Sequence, residues 1–260
     1  MRHKLHWGVP KRQLWKFSWT AFRSVSFMLV AVVLCCRAAA QQQQPQEDPE
    51  DEKKIGLWLD QPVSVRLSAS RSLEFEFHER LDEGASNLFE YFGQGGVAFR
   101  LCPWFIITPI YRYARYPGNP TTAYENRLIL NLMLNRSQGA LRPGLRTLIE
   151  GRFPDNRIAS ARLRFRPGLE YTLPLRMTLP PVLVVNDEVF FVPGTNSYSA
   201  GGSFTQNRVQ AGVRVPITSS VSVRPYYMLQ SVNLPTGWDS NNILGISLAF
   251  RFDKSKRASK

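Results

Sequence analysis

From Ile55 onward, apolar and polar residues alternate with a period of two. In "ARLRFRPGLEYTL", residues 161–173, every odd position is apolar except Pro167, while Arg162, Arg164 and Arg166 occupy even ones. On an α-helix, residues two apart point to opposite sides, so the three arginines would scatter. On a β-strand they line one face. The pattern recurs: "LEFEFHER" sets Leu73, Phe75 and Phe77 against Glu74, Glu76 and His78, and "ENRLILNLMLN" sets Leu128, Leu130, Leu132 and Leu134 against Arg127 and Asn131. "QNRVQAGVRV" and "NILGISLAFRF" alternate in the same way. Turn signals such as "DEGASN", "YPGNPTT", "NRSQGALRPG", "PGTNSYSAGG" and "LPTGWDSNN" separate the runs. The pattern predicts strands over 56–67, 71–82, 88–101, 104–115, 123–136, 142–153, 157–172, 178–192, 204–215, 221–232 and 242–252, with no long helix.

Alternation alone does not say which face is inside. A soluble sandwich buries its apolar face between two sheets; a membrane barrel turns it to lipid. Strand length favours the barrel, because these runs are longer than the five or six residues usual in soluble sheets. The charges point the same way. Residues 55–252 hold 20 arginines and 14 acids but no lysine. A solvated outer face and exposed sheet edges normally carry lysine. Arginine's planar fork suits crowded pairing with carboxylates. The expected fold is therefore all-β: an antiparallel transmembrane β-barrel of about ten to twelve strands. Twelve is favoured because bacterial barrels have even counts. Pro109, Pro167 and Pro225 fall inside the predicted strands and signal bulges or breaks there. Trp104, Tyr111, Tyr113, Tyr116, Tyr171, Tyr226 and Tyr227 stand near strand ends, where interfacial girdles lie.

The flanks change the picture of charge. The chain of 260 residues carries +13, but residues 1–40 hold seven basic residues and no acid, then the apolar run "VSFMLVAVVLCC" and Ala38–Ala40. This is the composition of a cleaved secretory signal peptide. Removal leaves 26 basic and 20 acidic residues, which removes most of the support for a nucleic-acid partner. "QQQQPQEDPEDEKK", residues 41–54, reads as a disordered linker. Residues 55–252 form the barrel and 253–260 a basic tail. Cys102 is then the one cysteine left, with no intrachain partner.

The residues expected to line the lumen are Glu74, Glu76, Arg112, Glu125, Arg127, Arg146, Glu150, Arg152, Arg162, Arg164, Arg166, Glu170, Glu188, Arg208, Arg214, Arg224 and Arg251. They could hold the barrel's shape as a charged network, or form a narrow anion-favouring path. Catalytic residues, cofactors and metals are not expected: there is no Rossmann glycine pattern and no P-loop, and His78 is the single histidine beyond the signal. Two alternatives remain open. One is a soluble secreted β-sandwich binding module. The other is a barrel-embedded lipid hydrolase using His78 beside Glu76, although no serine is marked out as its nucleophile.

Trp58, "EFEFHER", "YENRLIL", "RLRFR", "NDEVFF" and "QNRVQAGV" occur in an order that resembles an uncharacterised family of bacterial outer-membrane β-barrels, DUF2490. The resemblance covers most of 55–252. It implies export by a signal peptide, an outer-membrane barrel with no established activity, and as partners outer-membrane lipid and the periplasmic and outer-membrane assembly machinery. The chain departs from the expected pattern at its end, where eight residues follow Phe252.

Overall fold

The computed structural model describes residues 55–82, 86–193 and 204–254. The expected signal peptide, the expected linker and most of the basic tail lie outside the described residues. Eleven strands are described: β1 (Gly56–Arg66), β2 (Arg71–Asp82), β3 (Asn87–Cys102), β4 (Phe105–Arg115), β5 (Tyr124–Asn135) and β6 (Leu141–Pro154). They continue as β7 (Ser160–Thr172), β8 (Val182–Phe191), β9 (Phe204–Pro216), β10 (Val221–Leu234) and β11 (Gly237–Asp253). Each pairs antiparallel with the next, and β1 closes on β11 to complete a barrel.

Closure corrects the favoured even count of twelve. Strand β1 runs parallel to β11, with Gly56 opposite Ile243 and Arg66 opposite Asp253. One parallel seam lets an odd number of strands close, and odd membrane barrels are known. Parity follows only from all-antiparallel closure, which the alternation pattern does not encode. As a result Gly56 lies at one rim, here the first, and Asp253 at the other, the second.

The closed barrel also replaces the sandwich alternative, since no pair of inner sheet faces exists to bury the apolar side chains. Those side chains point outward instead. Phe77 is 55% and Leu128 59% exposed, and Phe75, Leu130, Ile149, Leu169, Leu244 and Ile246 are exposed with them. Aromatics flank this apolar band. Near the first rim, Phe191 packs on Phe204 and Phe204 on Trp238, at 5.5 and 5.0 Å between centroids. Tyr113 stacks on Tyr124 there as well. Trp104 and Phe105 stack near the second rim.

The prolines do less than expected. Strands β4, β7 and β10 run through Pro109, Pro167 and Pro225, which pair with Leu130, Leu145 and Ile246. Register shifts occur elsewhere, at Arg80/Leu81, Arg100/Cys102 and Phe190/Phe191. A proline removes one donor on one side only, and the ladder on its other side keeps the strand in place. The expected turn "LPTGWDSNN" is mostly strand. Leu234 pairs with Gly237, leaving Pro235 and Thr236 as a two-residue hairpin loop. Gly237 has φ of 122°, a region closed to most side chains, and this permits the tight reversal.

Candidate functional site: a charged lumen

Period two places every second side chain inside the closed barrel, so each strand contributes its polar series to the lumen. Near the first rim, Glu125 from β5 is 1% exposed and accepts from three donors. Arg127 donates through Nε at 2.6 Å, and Arg152 of β6 donates through Nε and Nη2 at 2.7 and 2.8 Å. Arg127 also donates to the Tyr116 hydroxyl, which in turn donates to Glu125 at 3.3 Å. Tyr116 follows β4, and burial followed by the nearby Glu90 charge pushes its phenol up to about 12. It therefore stays a neutral hydroxyl. Glu90 of β3 pairs with Arg80 of β2.

A second layer lies at mid-height. Glu150 of β6, 1% exposed, takes Arg162 Nε at 2.7 Å and Arg164 Nη1 at 2.8 Å. Arg164 also reaches Glu188 of β8 at 2.8 Å through Nη2. Guanidinium groups lie over buried rings in the lumen. Arg80 lies 4.0 Å from the Trp58 centroid, Arg208 lies 4.8 Å from Trp58 and 4.7 Å from Phe190, and Arg112 lies 3.9 Å from Phe92. Such contacts strengthen as water is excluded.

A polar relay joins opposite walls. Tyr226 of β10 donates to Asp60 of β1 at 2.9 Å, and Asp60 lies 2.6 Å from His78 Nδ1. His78 Nε2 meets Glu76 at 2.8 Å. Glu76 accepts from Gln94 at 2.5 Å, and Gln94 accepts from Arg112 at 2.6 and 2.9 Å. Both ring nitrogens of His78 thus face carboxylates, leaving neither for a serine hydroxyl. The Tyr226 ring can lie there because residue 245 is glycine: a Cβ on Gly245 would stand 2.0 Å from it. Tyr226 and Tyr116, expected in the girdles, therefore point inward.

Toward the second rim the lumen opens. A cavity of about 600 Å³ is lined by Ser64, Ser68, Ser70, Ser72, Asn131 and Asn135, with Arg66, Arg71, Arg100, Arg142, Arg146, Arg166 and Arg251. The acids at its wall are Glu74 and Glu76. Glu74 accepts from Ser64 and Ser72 at 2.9 and 2.5 Å. Glu170 binds Arg214 in bidentate fashion at 3.0 and 2.8 Å, with Arg142 at 3.8 Å. A smaller chamber of about 100 Å³ lies deeper, between Trp58, His78, Arg164, Glu188, Arg208, Arg224 and Tyr226. Glu76, Arg146 and Arg166 line both cavities and mark their junction.

The structure thus brings Glu125, Arg127 and Arg152 together, joins Glu150 and Glu188 through Arg164, with Arg162 on Glu150 and Arg208 4.0 Å from Glu188, and joins Glu170 to Arg214. Arg112 meets Gln94 rather than a carboxylate. Arg146, Arg166, Arg224 and Arg251 have no carboxylate within 4.0 Å among the described residues: Arg146 donates to Asn131 at 3.0 Å, and Arg224 lies 5.3 Å from the Tyr226 ring. Trp58, Asp60, Arg80, Glu90, Phe92 and Gln94 also face the lumen and are absent from the expected lumen set. Asp60 and Arg80 share the inward parity of Trp58 and His78, so the alternation itself was the available signal.

A closed barrel with an apolar outer face, two aromatic rims and a polar, charged interior is a membrane β-barrel. The chain belongs to the DUF2490 family, described as a protein of unknown function, whose family model matches residues 55–241. A comparison with curated proteins gives no match. Among solved structures the chain is similar to the NanC porin, with a TM-score of 0.48 and 9% identity, covering 75% of this chain and 98% of that one. It is also similar to the siderophore receptor PirA from Pseudomonas aeruginosa, with a TM-score of 0.30 and 15% identity, covering 68% of this chain and 35% of the receptor.

Proposed function

We propose that this protein is an outer-membrane barrel whose basic lumen admits and holds anions, through a narrow path rather than a wide pore, and that it is not an enzyme. The observation that carries this reading is the unequal distribution of charge along the lumen. Near the first rim and at mid-height, Arg80, Arg127, Arg152, Arg162 and Arg164 pair with Glu90, Glu125, Glu150 and Glu188. Toward the second rim, seven arginines and two glutamates line an open cavity; Arg66 and Arg142 lie 3.8 Å from Asp253 and Glu170, and the other five have no carboxylate within 4.0 Å among the described residues. An excess of fixed cations between low-dielectric walls concentrates anions and repels cations. The paired, ring-lined mid-layer narrows the passage and favours small solutes. Arginine lining is a recognised way to select anions in pores.

Two measurements test this reading in sequence. The protein is expected in the outer-membrane fraction, migrating differently on gels before and after heating. In planar bilayers it is expected to carry a small current that prefers chloride over potassium. Arg251→Glu adds an acid at the wall of the open cavity and leaves the ion pairs described above in place. It should lower the anion preference severalfold, the size expected from moving a fixed charge near a narrow path. A cation-preferring current in the native protein, or a preference indifferent to Arg251→Glu, contradicts the proposal.

A further inference from the structure

Two arginines at the cavity junction stand where like charges should not. Arg146 of β6 and Arg166 of β7 are direct cross-strand partners. They project into the same space, since both line the open cavity and the deeper chamber. Like charges directly opposite each other on a sheet destabilise it. Arg112 and Arg127 also face each other, and there Gln94 accepts from the first and Glu125 from the second. Arg127 and Arg152 are also cross-strand partners, and Glu125 lies between them, bonded to both. No such carboxylate joins Arg146 and Arg166. Among the described residues the Arg146 guanidinium makes one hydrogen bond, from Nε to Asn131, so its two Nη groups are uncommitted. Arg166 has no hydrogen-bond or ion-pair partner among the described residues. Arg224, from β10, lines the deeper chamber as a third guanidinium without a carboxylate.

We propose that the junction is an oxyanion-binding site, in which Arg146 and Arg166 clamp a ligand's phosphate-type head and Arg224 faces it from the chamber side. The anion takes the place that Glu125 fills between Arg127 and Arg152. Planar guanidinium forks match the paired oxygens of phosphate and carboxylate groups. Glu76 also lines the junction, and Asp60 and Glu188 line the chamber, but His78 lies against the first two and Arg164 against the third. Arg146, Arg166 and Arg224 therefore favour a dianion over a monoanion, so phosphate binds ahead of acetate. Spaces of about 100 and 600 Å³ on either side leave room for a small anion within and a polar body without. The body would meet the hydroxyls of Ser64, Ser68, Ser70 and Ser72 around the open cavity. The site rests on the reading of the lumen as anion-favouring and adds a location, a charge preference and a ligand class.

The test uses the full chain, purified in a nonionic detergent and titrated with inorganic phosphate at low ionic strength. Binding is followed by calorimetry and by fluorescence of Trp58, which lines the adjoining chamber. The expected result is saturable binding of phosphate, weaker binding of acetate and weaker still of chloride. Arg166→Gln and Arg146→Gln each remove charge-assisted hydrogen bonds and should weaken phosphate binding about tenfold or more. Arg115→Gln, on the outer face, serves as the control and should leave it unchanged. Heat-modifiable migration of each variant verifies that the barrel has formed, and Arg166→Lys keeps the charge should Arg166→Gln fail to fold. Phosphate no better bound than chloride, or binding equally strong in folded Arg146→Gln and Arg166→Gln, overturns the proposal. An anion-preferring current with no such binding would sink the site and leave the path standing. Binding without current would do the reverse.

Discussion

Glu150→Gln is expected to produce a barrel that unfolds in markedly less denaturant, with a loss of about 3–5 kcal/mol, the range found when one partner of a buried ion pair is removed. Glu150 accepts from both Arg162 and Arg164 and is 1% exposed. Glutamine keeps the shape and one acceptor oxygen but no charge. Arg164 retains Glu188, at 2.8 Å, so the cost falls mainly on Arg162. That guanidinium has no second carboxylate within 4.0 Å among the described residues. Urea unfolding in lipid vesicles, followed by the loss of the heat-modifiable form, measures the effect. Glu74→Gln is the internal comparison. Glu74 accepts from two serines and no arginine at ion-pair distance, so its loss should cost far less.

The second large effect lies on the opposite face. Leu130→Arg places a guanidinium on the outer surface, between Pro109 on one neighbouring strand and Ile149 on the other. At the middle of a bilayer such a substitution costs about 2–4 kcal/mol in membrane barrels. The adjacent Asn131 points into the lumen and accepts from Arg146. Asn131→Asp adds a carboxylate beside that guanidinium and should be neutral or stabilising. Yield of folded protein in vesicles distinguishes the two. A chain indifferent to Leu130→Arg but damaged by Asn131→Asp would have its faces reversed.

These neighbouring positions also show what could be read in the sequence. Leu128, Leu130 and Leu132 against Arg127 and Asn131 sufficed to place both faces of β5, because a sheet closed around polar residues keeps one parity along the whole strand. The same rule would have added Arg80 two residues beyond His78. Glu90, two residues before Phe92, was harder to assign, since an apolar residue there shares its parity. What period two cannot supply is distance around the barrel. Tyr226 bonds Asp60, 166 positions earlier in the chain, only because the β1–β11 seam brings β10 near β1. Strand ends show the same limit. The polar run from Asp239 to Asn242 looks like a loop, yet it lies in a hairpin whose reversal is set by Gly237. The parallel seam, which fixes an odd count, depends on strand direction at closure and leaves no local trace. Charge was legible as an excess of arginine. Which arginines would lack carboxylates required the register, with Arg146 facing Arg166 and Arg162 facing Glu150.

The barrel's stability and its anion path both depend on β-strands that present hydrocarbon to lipid and arginine to a closed interior. The direct measurement is a spin-label scan of consecutive positions from Leu130 to Asn135, in protein lacking Cys102 and folded into phospholipid vesicles. Labels at Leu130, Leu132 and Leu134 should collide preferentially with oxygen, which partitions into the bilayer. Those at Asn131, Met133 and Asn135 should collide preferentially with a water-soluble nickel chelate entering from the second rim. A scan with no two-residue period, or one in which the leucine positions respond to the nickel chelate, would show that the apolar face does not meet lipid.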